Sequence, residues 1–478
     1  MSGPPPEDVP SGTVIQKYQP TVPNFMRLGE VPVDYLQEME TDLLEPVVFQ
    51  EGNGSTVDGF VRFQLQNKGF LHSHSKIFMS LTPPSAVTRA VLPPNVGIGS
   101  VIKRAVLKIG NKVLNEISDW DHLHAFHSTR ISNENNKERE NYVSGRYMSR
   151  NFDFEDGTGP NLDAVGTLIQ TSRDPTVEYG TTVDTEQMPF AVMDGGSPAE
   201  SPSYAVDLSD LFPFLKVHQL PLYMIQEPVT IELTLRPPIN HRAVRVTGTA
   251  EQSFVLDQNE LKFCADYIYY GATDEMERYA AENKVLTFPF VDYRGVSTTV
   301  SQSSLQTATV RNIGMASRLV NKVITMINGD RSGENNILLN LGAVSMAVTS
   351  GQPGSIEYNI RYNDKFEFSS NVTNTARLYS LLQNAETMVF ISRDEYSSEG
   401  GALAGGTLTT FEQKSQTEFR GHFFYNSTKL TGGRVGTRGI ELHLTCNDVR
   451  SSATTLRNYC EYMRSAQLEN GMITVYNL

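Results

Sequence analysis

From residue 46 onward the chain is a succession of short alternating runs, each stopped by Gly, Pro, Asn or Asp within a few residues. This punctuation constrains the fold more than any other feature. In "TVDGFVRFQLQ", residues 56–66, Phe60, Arg62 and Gln64 alternate with Val61, Phe63 and Leu65, which is the period of a half-buried strand. "SKIFMSLTPP" (75–84) ends on prolines, and "VTIELTLRPP" (229–238) and "ELKFCADYIYY" (260–270) follow the same rule. Runs this short, separated by turn residues, predict an all-β sandwich or barrel. Helical patterns are few. The clearest is "TDEMERYAAENK" (273–284), with Thr273 or Asp274 as N-cap and acids in its first turn.

Several of these pieces occur twice, in the same order. "RAVLKIGNKVLNEISDW" (104–120) reads as strand, turn, strand and helix start, and "NIRYNDKFEF" (359–368) repeats its hairpin. With Gly110-Asn111 and Asn363-Asp364 as turn residues, a three-residue loop would set Ile109 opposite Val113 and Tyr362 opposite Phe366. That register gathers the apolar side chains on one face, and a slip of one residue would scatter them. Each hairpin runs into a helical patch, "SDWDHLHAF" (118–126) with Ser118 as cap, and "NTARLYSLL" (374–382). "TIELTL" (230–235) is echoed by "GIELHL" (439–444), and "FCADYIYYGA" (263–272) by "NYCEYMRSA" (458–466). The shared order predicts two copies of one β-fold. About 200 residues per copy suits an eight-stranded jelly roll with long surface loops. The expected division is an N-terminal arm at 1–45, a first roll at 46–272, a linker helix at 273–284 and a second roll at 285–478. The arm is Pro-rich, with 34–45, "DYLQEMETDLLE", expected as one short helix.

Charge narrows the function. Of the formal net charge of −14, residues 151–210 carry twelve acids against one base, Arg173, a balance of −11. The remainder is near neutral and offers no basic stripe for a phosphate backbone, so direct sequence-specific nucleic-acid binding is not expected. Rich in Gly, Pro, Ser and Thr, the 151–210 segment reads as an acidic surface insertion, and "YSSEGGALAGGTL" (396–408) as a smaller exposed loop. The three cysteines, Cys264, Cys446 and Cys460, have no C-x-x-C spacing, so neither a disulfide framework nor a thiolate zinc site is expected. In a reducing compartment the sequons at Asn53, Asn371 and Asn426 would be unmodified surface turns. The N-terminus lacks an apolar stretch of signal-peptide type, and no apolar run is long enough for a transmembrane segment.

Candidate chemistry is thin. "DWDHLHAFH" holds Asp119, Asp121, His122, His124 and His127, of which Asp121, His124 and His127 only partly share a helix face. Without an H-E-x-x-H spacing, and with Trp120 and Leu123 to bury, the segment reads as a packing helix and not as a metal site. His72 and His74 alternate on an expected strand as a polar face, with no Glu or further His placed to complete a cupin-like ligand set. No nucleophile elbow, Walker loop or dinucleotide fingerprint is present, and "NVGIGS" (95–100) precedes a strand instead of following one. The paired carboxylates of 151–210 lack the apolar neighbours that raise a catalytic pKa. No catalytic, cofactor-binding or metal-binding residue is therefore expected, and no cofactor. An alternative reading, a β-sandwich carbohydrate-binding protein or glycosidase, requires an aromatic platform. The single tryptophan, Trp120, sits on the packing helix.

Four stretches resemble the double jelly-roll major capsid proteins of double-stranded DNA viruses, the lineage of polinton-like viruses, virophages and nucleocytoplasmic large DNA viruses. They are "GSVIKRAVLKIGNKVLNEISDW" (99–120), "FPFLKVHQLPLYMIQEPVTIEL" (212–233), "FCADYIYYGATDEMERYA" (263–280) and "LRNYCEYMRSAQLENGMITVYNL" (456–478). The second hairpin, "RYNDKFEF", adds a fifth. The resemblance implies a homotrimeric, pseudo-hexagonal capsomer tiling an icosahedral shell, located in the virion. Self-contacts and contacts with minor capsid or penton proteins would follow, with no enzymatic activity. It further implies that 151–210 faces outward and that the arm lies near the shell interior, bridging neighbouring capsomers.

Overall fold

The chain is seen as a computed structural model that describes residues 36–54, 56–82, 89–91, 97–128, 143–145, 169–170, 181–182, 192–194, 203–238, 244–245, 255–270, 285–300, 307–329, 355–362, 365–371, 423–426, 433–447 and 454–478. Residues 1–35, the linker helix expected at 273–284, the helical patch at 374–382, the loop at 396–408 and most of 151–202 lie outside those residues.

In the first half, alternating apolar residues give β1 (Leu36–Leu44), β2 (Val48–Gln50), β3 (Gly59–Gln64), β4 (Phe70–Leu71) and β5 (Lys76–Met79). Then come β6 (Ile102–Ile109), β7 (Lys112–Ser118), helix α1 (Trp120–Ser128), β8 (Tyr204–Asp207), and the short helices α2 (Leu208–Leu211) and α3 (Pro213–Val217). The half closes with β9 (Leu220–Pro221), β10 (Val229–Leu235) and β11 (Lys262–Tyr270). The second half holds β12 (Val285–Val300), β13 (Thr307–Gly314), β14 (Leu319–Gly329), β15 (Ser355–Tyr362), β16 (Lys365–Phe366), β17 (Phe423–Asn426), β18 (Gly433–Arg434), β19 (Ile440–Asn447), β20 (Thr454–Glu469) and β21 (Met472–Asn477).

The two halves share one topology. The first builds a sheet in the order β1-β11-β5-β8 and a second in the order β3-β10-β6-β7, with β2 beside β3. The later half builds β12-β20-β14-β17 and β13-β19-β15-β16. Taken in chain order, the eight strands of these two four-strand orders in the first half each have a counterpart in the later half, whereas β2, and β21 beside β20, have none. The short β9 and β18 correspond as well, beside β4 and β14. The two "IEL" echoes are therefore the same central strand, β10 and β19, and the all-β double jelly roll expected from the repeat is the observed fold. Within the first roll the sheets meet through residues such as Phe63 and Phe263, whose ring centroids lie 5.8 Å apart. Buried apolar side chains of both rolls form one continuous cluster.

Four expectations are corrected. The helix expected at 34–45 is not formed over its described residues, 36–45. β1 runs antiparallel to β11, from Leu36 opposite Tyr270 to Leu44 opposite Phe263. Only a strand sends Glu40 and Asp42 to the same side, where Lys68 Nζ reaches both, at 2.7 and 2.8 Å. Both hairpins have two-residue turns. Ile109 stands opposite Lys112, with Gly110 at φ +58°. Tyr362 stands opposite Lys365. In the first hairpin a bulge, not the turn, collects the inward face. Leu107 pairs with Asn115 and Lys108 with Val113, so Leu114 is the extra residue. Leu114, Asn115 and Ile117 are all buried. The second hairpin shows no such shift and leaves Phe366 exposed. Asp119, not Ser118, precedes α1, in the left-handed region at φ +48°, and its carbonyl accepts from His122 N at 3.2 Å. Finally, the end of the acidic insertion is core. β8 pairs with β5, and Tyr204, Val206 and Leu208 are buried.

One glycine is demanded by close approach. Gly439, at φ +76°, opens β19, and a Cβ there would overlap the Gly314 carbonyl, 2.9 Å from its carbon. Gly439→Ala is expected to lower stability by about 2 kcal/mol, combining left-handed strain with this clash. A denaturation midpoint unchanged from wild type would refute the account.

Candidate functional site at the seam between the rolls

The polar residues that the fold buries together lie where the rolls meet. The first roll contributes β7, the start of α1 and the 212–226 segment, and the second contributes β12 and β20. Asp292 of β12 is 1% exposed and is the centre of the joint. Asn115 Nδ2 donates to its Oδ1 at 3.0 Å, and Arg464 Nη1 donates to its Oδ2 at 2.7 Å. The same guanidinium crosses to β7, donating to the carbonyls of Leu114 at 2.8 Å and Val113 at 3.2 Å. Asn115 completes the joint by accepting from Phe214 N at 3.1 Å. Burial pushes the Asp292 carboxyl above its ordinary range, and Arg464 opposes that shift.

Apolar contacts and backbone bonds seal the seam on either side. Phe214 of α3 sits against Phe288 and Phe290, with centroids at 5.9 and 5.2 Å. The His218 ring nitrogen Nε2 lies 2.6 Å from the Pro289 carbonyl and donates to it, and Gln226 N donates to the Gly471 carbonyl at 2.9 Å. At the other end, Tyr459 OH donates to the Asp119 carbonyl at 2.6 Å, and His127 meets the Tyr293 ring edge-on at 5.3 Å.

Of the aspartates and histidines singled out in "DWDHLHAFH", Asp119 and His127 touch the second roll, while Asp121, His122 and His124 find the partners described below within the first. Arg236, at the end of β10, forks onto Asp121, with Nη2 2.9 Å from Oδ1 and Nε on Oδ2, and also reaches Asp119 Oδ1 at 3.2 Å. Asp121 is buried, which alone would raise its pKa. The Arg236 charge, with the hydrogen bonds from His122 and Arg236, outweighs burial and holds the carboxyl below its usual range. His122, with Nδ1 2.9 Å from Asp121 Oδ1, has its pKa lowered by burial. His124 stacks on Trp120 at 4.5 Å and 14°, and Trp120 Nε1 donates to the Asp210 carbonyl at 3.1 Å. Trp120 is 1% exposed, so it offers no platform for a sugar ring.

His72 and His74 are placed in the turn between β4 and β5, not on a strand, with ring centroids 5.2 Å apart. Asp207, buried at the end of β8, meets Lys76 Nζ at 3.1 Å and His74 Nδ1 at 3.4 Å. Among the described residues no group of three His, Cys, Asp or Glu could hold a metal ion. Among them no helix is long and apolar enough to cross a membrane. Burial pushes the Cys460 thiol up to about 12, and burial with Asp266 raises that of Cys264, so neither thiol is primed as a nucleophile. Asn115, Asp292, Arg236 and Arg464 escaped the sequence reading. Their only signal is a polar side chain at an otherwise apolar strand position. The arrangement can do one thing chemically, which is to fix the two rolls against each other.

No family model matches the sequence, and no curated protein does. Solved structures do match. A chain from the Sputnik virophage structure superposes with a TM-score of 0.53 at 10% identity, over 94% of this chain and 90% of that one. The mavirus major capsid protein gives 0.51 at 10% identity, over 100% of this chain and 97% of that one. The Faustovirus major capsid protein gives 0.52 at 9% identity, over 90% of each. At these identities the likeness is one of fold, and the chain has the double jelly-roll fold found in viral major capsid proteins.

Proposed function

We propose that this chain is the major capsid protein of a double-stranded DNA virus, acting as a structural tile of the virion and not as an enzyme. One observation carries the reading. Two rolls with the same order of eight strands are joined through a buried polar seam. A binding module or hydrolase needs one sheet pair and a cleft, whereas a tile gains from repeated, similar sides. In this reading the tile is a homotrimer, so that six rolls make a pseudo-hexagonal unit. Neighbouring units, and minor capsid or penton proteins, then complete the shell. The N-terminal arm and the acidic insertion serve contacts inside and outside the shell respectively.

The experiment is the native mass of the purified protein by light scattering after size exclusion. The expected result is three chains of 53.1 kDa, or a much larger particle. A monomer at all concentrations that also bound a glycan array or cleaved a glycoside would overturn the proposal in favour of a carbohydrate-active sandwich.

A further inference from the structure

The first roll carries an open groove of about 540 Å³ that the capsid reading does not use. One wall is the end of β3 and the residues after it, Gln64 to Asn67, and the other is Gln226 with Pro228. Val47, just before β2, completes the lining. The walls are tied to each other. Asn67 Nδ2 donates to the Ile225 carbonyl at 2.7 Å and to that of Glu227 at 3.3 Å, and Leu65 N donates to the Val229 carbonyl at 2.9 Å. Val47 N is held on the Arg62 carbonyl at 2.8 Å. The groove is therefore built before anything enters it.

Its lining has one chemistry. No lining residue is charged, and Val47 is 62% exposed with nothing packed over it. Among the described residues the side-chain amides of Gln64, Gln66 and Gln226 make no hydrogen bond. Each has an NH2 with two donors. The groove thus suits an uncharged ligand that is rich in acceptors and poor in donors. A polyproline II strand is such a ligand, because its carbonyls bond nothing within the strand, its prolines lack N–H, and its rings supply apolar contact. The chain holds one in "YQPTVPNF" (18–25), which is uncharged. Pro20 and Pro23 stand three residues apart, so they share one face of a three-residue turn, and Gln19 and Val22 are biased to extended backbone by the prolines that follow them. The other Pro-rich stretch, "PPPEDVP" (4–10), brings two acids, which an uncharged groove does not pair. Reach is sufficient. Asn67 precedes Lys68, whose Nζ lies 2.7 Å from Glu40, four residues into β1 from Leu36. That path from Leu36 to the groove is roughly 25 Å, and the thirteen residues from Pro23 to Leu36 span up to about 43 Å when extended.

We propose that this groove is a polyproline II binding site whose occupant is residues 18–25 of the same chain. The carbonyls of that strand accept from Gln64, Gln66 and Gln226, and Pro20 and Pro23 pack on Val47 and Pro228. The arm then leaves the first roll from the groove and not from the start of β1. The inference goes beyond the capsid reading and does not depend on it. The tether favours the chain's own arm over a second copy's, because a linked ligand is present at a high effective concentration.

The test uses full-length protein carrying Pro20→Gly with Pro23→Gly, which removes the rings and the fixed φ and so empties the groove. A fluorescent peptide of residues 17–26 is titrated against this variant and against wild type, followed by anisotropy. Wild type, with its groove filled, is expected to bind the peptide at least about tenfold more weakly than the variant. Adding Val47→Asp to the variant should weaken peptide binding by about tenfold or more, and Gln66→Ala should weaken it severalfold. Val255→Asp, at another exposed position, should leave it unchanged. A second measurement locates the arm. In a chain with Cys264→Ser and Cys446→Ser, where the buried Cys460 stays, Thr21→Cys and Val47→Cys should be joined within one chain by a short bismaleimide. Thr21→Cys and Val255→Cys should not. A peptide that does not bind the emptied variant, or binds it equally with Val47→Asp, would overturn the inference. Equal linking of Thr21→Cys to both positions would overturn it too, as the behaviour of a tether without a site. A two-chain species from mixed Thr21→Cys and Val47→Cys single variants would overturn the choice of occupant, in favour of a second copy's arm. The native mass of the protein decides the capsid reading separately.

Discussion

Arg464→Ala should destabilise the protein by about 3–5 kcal/mol, among the largest losses expected of any single substitution. Three debts fall due together when the guanidinium goes. Asp292 becomes a buried carboxylate without its counter-charge, and the Val113 and Leu114 carbonyls of the first roll lose their donors. Arg464→Lys keeps a charge but cannot serve the carboxylate and both carbonyls at once, so a loss of about 1–3 kcal/mol is expected. The sign of the pH dependence is a further check. Burial already raises the Asp292 pKa, and Arg464 is the main opposing influence. Without the arginine the folded carboxyl is raised further above its unfolded value of about 3.9. A raised folded pKa means stability that is present below the unfolded pKa and lost as pH rises through the folded one. The deficit of Arg464→Ala should therefore be smaller near pH 4 than at pH 7, and Asp292→Asn in the same chain should recover part of it. Urea unfolding followed by the single tryptophan, Trp120, measures all of these. A deficit below about 1 kcal/mol at pH 7 would refute this account of the joint.

The parts of the fold that the sequence disclosed are those encoded locally. Gly110-Asn111 marks a turn because glycine accepts the left-handed φ that it needs, and the "IEL" echoes mark one central strand because both have the same two strand neighbours. What escaped depends on partners distant along the chain. Residues 36–44 carry Leu36, Met39 and Leu43 at helical spacing as well as alternating acids. Their state is decided by the edge that β11 offers, more than 200 residues away. Alternation alone gives the first hairpin a different register because it cannot announce a bulge at Leu114. The seam was least legible of all. Asp292 and Arg464 lie 172 residues apart, and each is a lone polar residue among apolar ones on its strand, with nothing local to name the partner that buries it. By contrast, the packing role read for Trp120 needed only its apolar bulk, and the structure buries it.

Removing the Arg236 fork should cost as much as removing Arg464, and with a distinct response to acid. Arg236→Ala leaves Asp121, 1% exposed, facing only His122 and its own helix start, and a loss of about 3–5 kcal/mol is expected. It also releases Asp119, a non-glycine residue held at φ +48° between Arg236 of the first roll and Arg457 of the second. In the intact protein two groups of this cluster are expected to make stability respond to acid. The His122 pKa is lowered by burial, and by the Arg457 and Arg236 charges, against the pull of Asp121. Unfolded chains take up that proton near pH 6.5 while the folded chain refuses it, so stability falls as pH drops below about 6.5, at up to about 1.4 kcal/mol per pH unit. The Asp121 pKa is held below its unfolded value, so its contribution is present above about pH 4 and is lost as pH falls further. Acid should therefore weaken the protein in two stages, the first belonging to His122 and the second to Asp121. His122→Asn should remove the first stage and leave the second. Melting temperatures of the two proteins measured from pH 8 to pH 3 decide the matter. A wild-type curve that is flat between pH 7 and pH 5, or a His122→Asn curve that keeps the wild-type slope there, would show that the imidazole is not buried neutral against Asp121 and that the acid limit lies elsewhere.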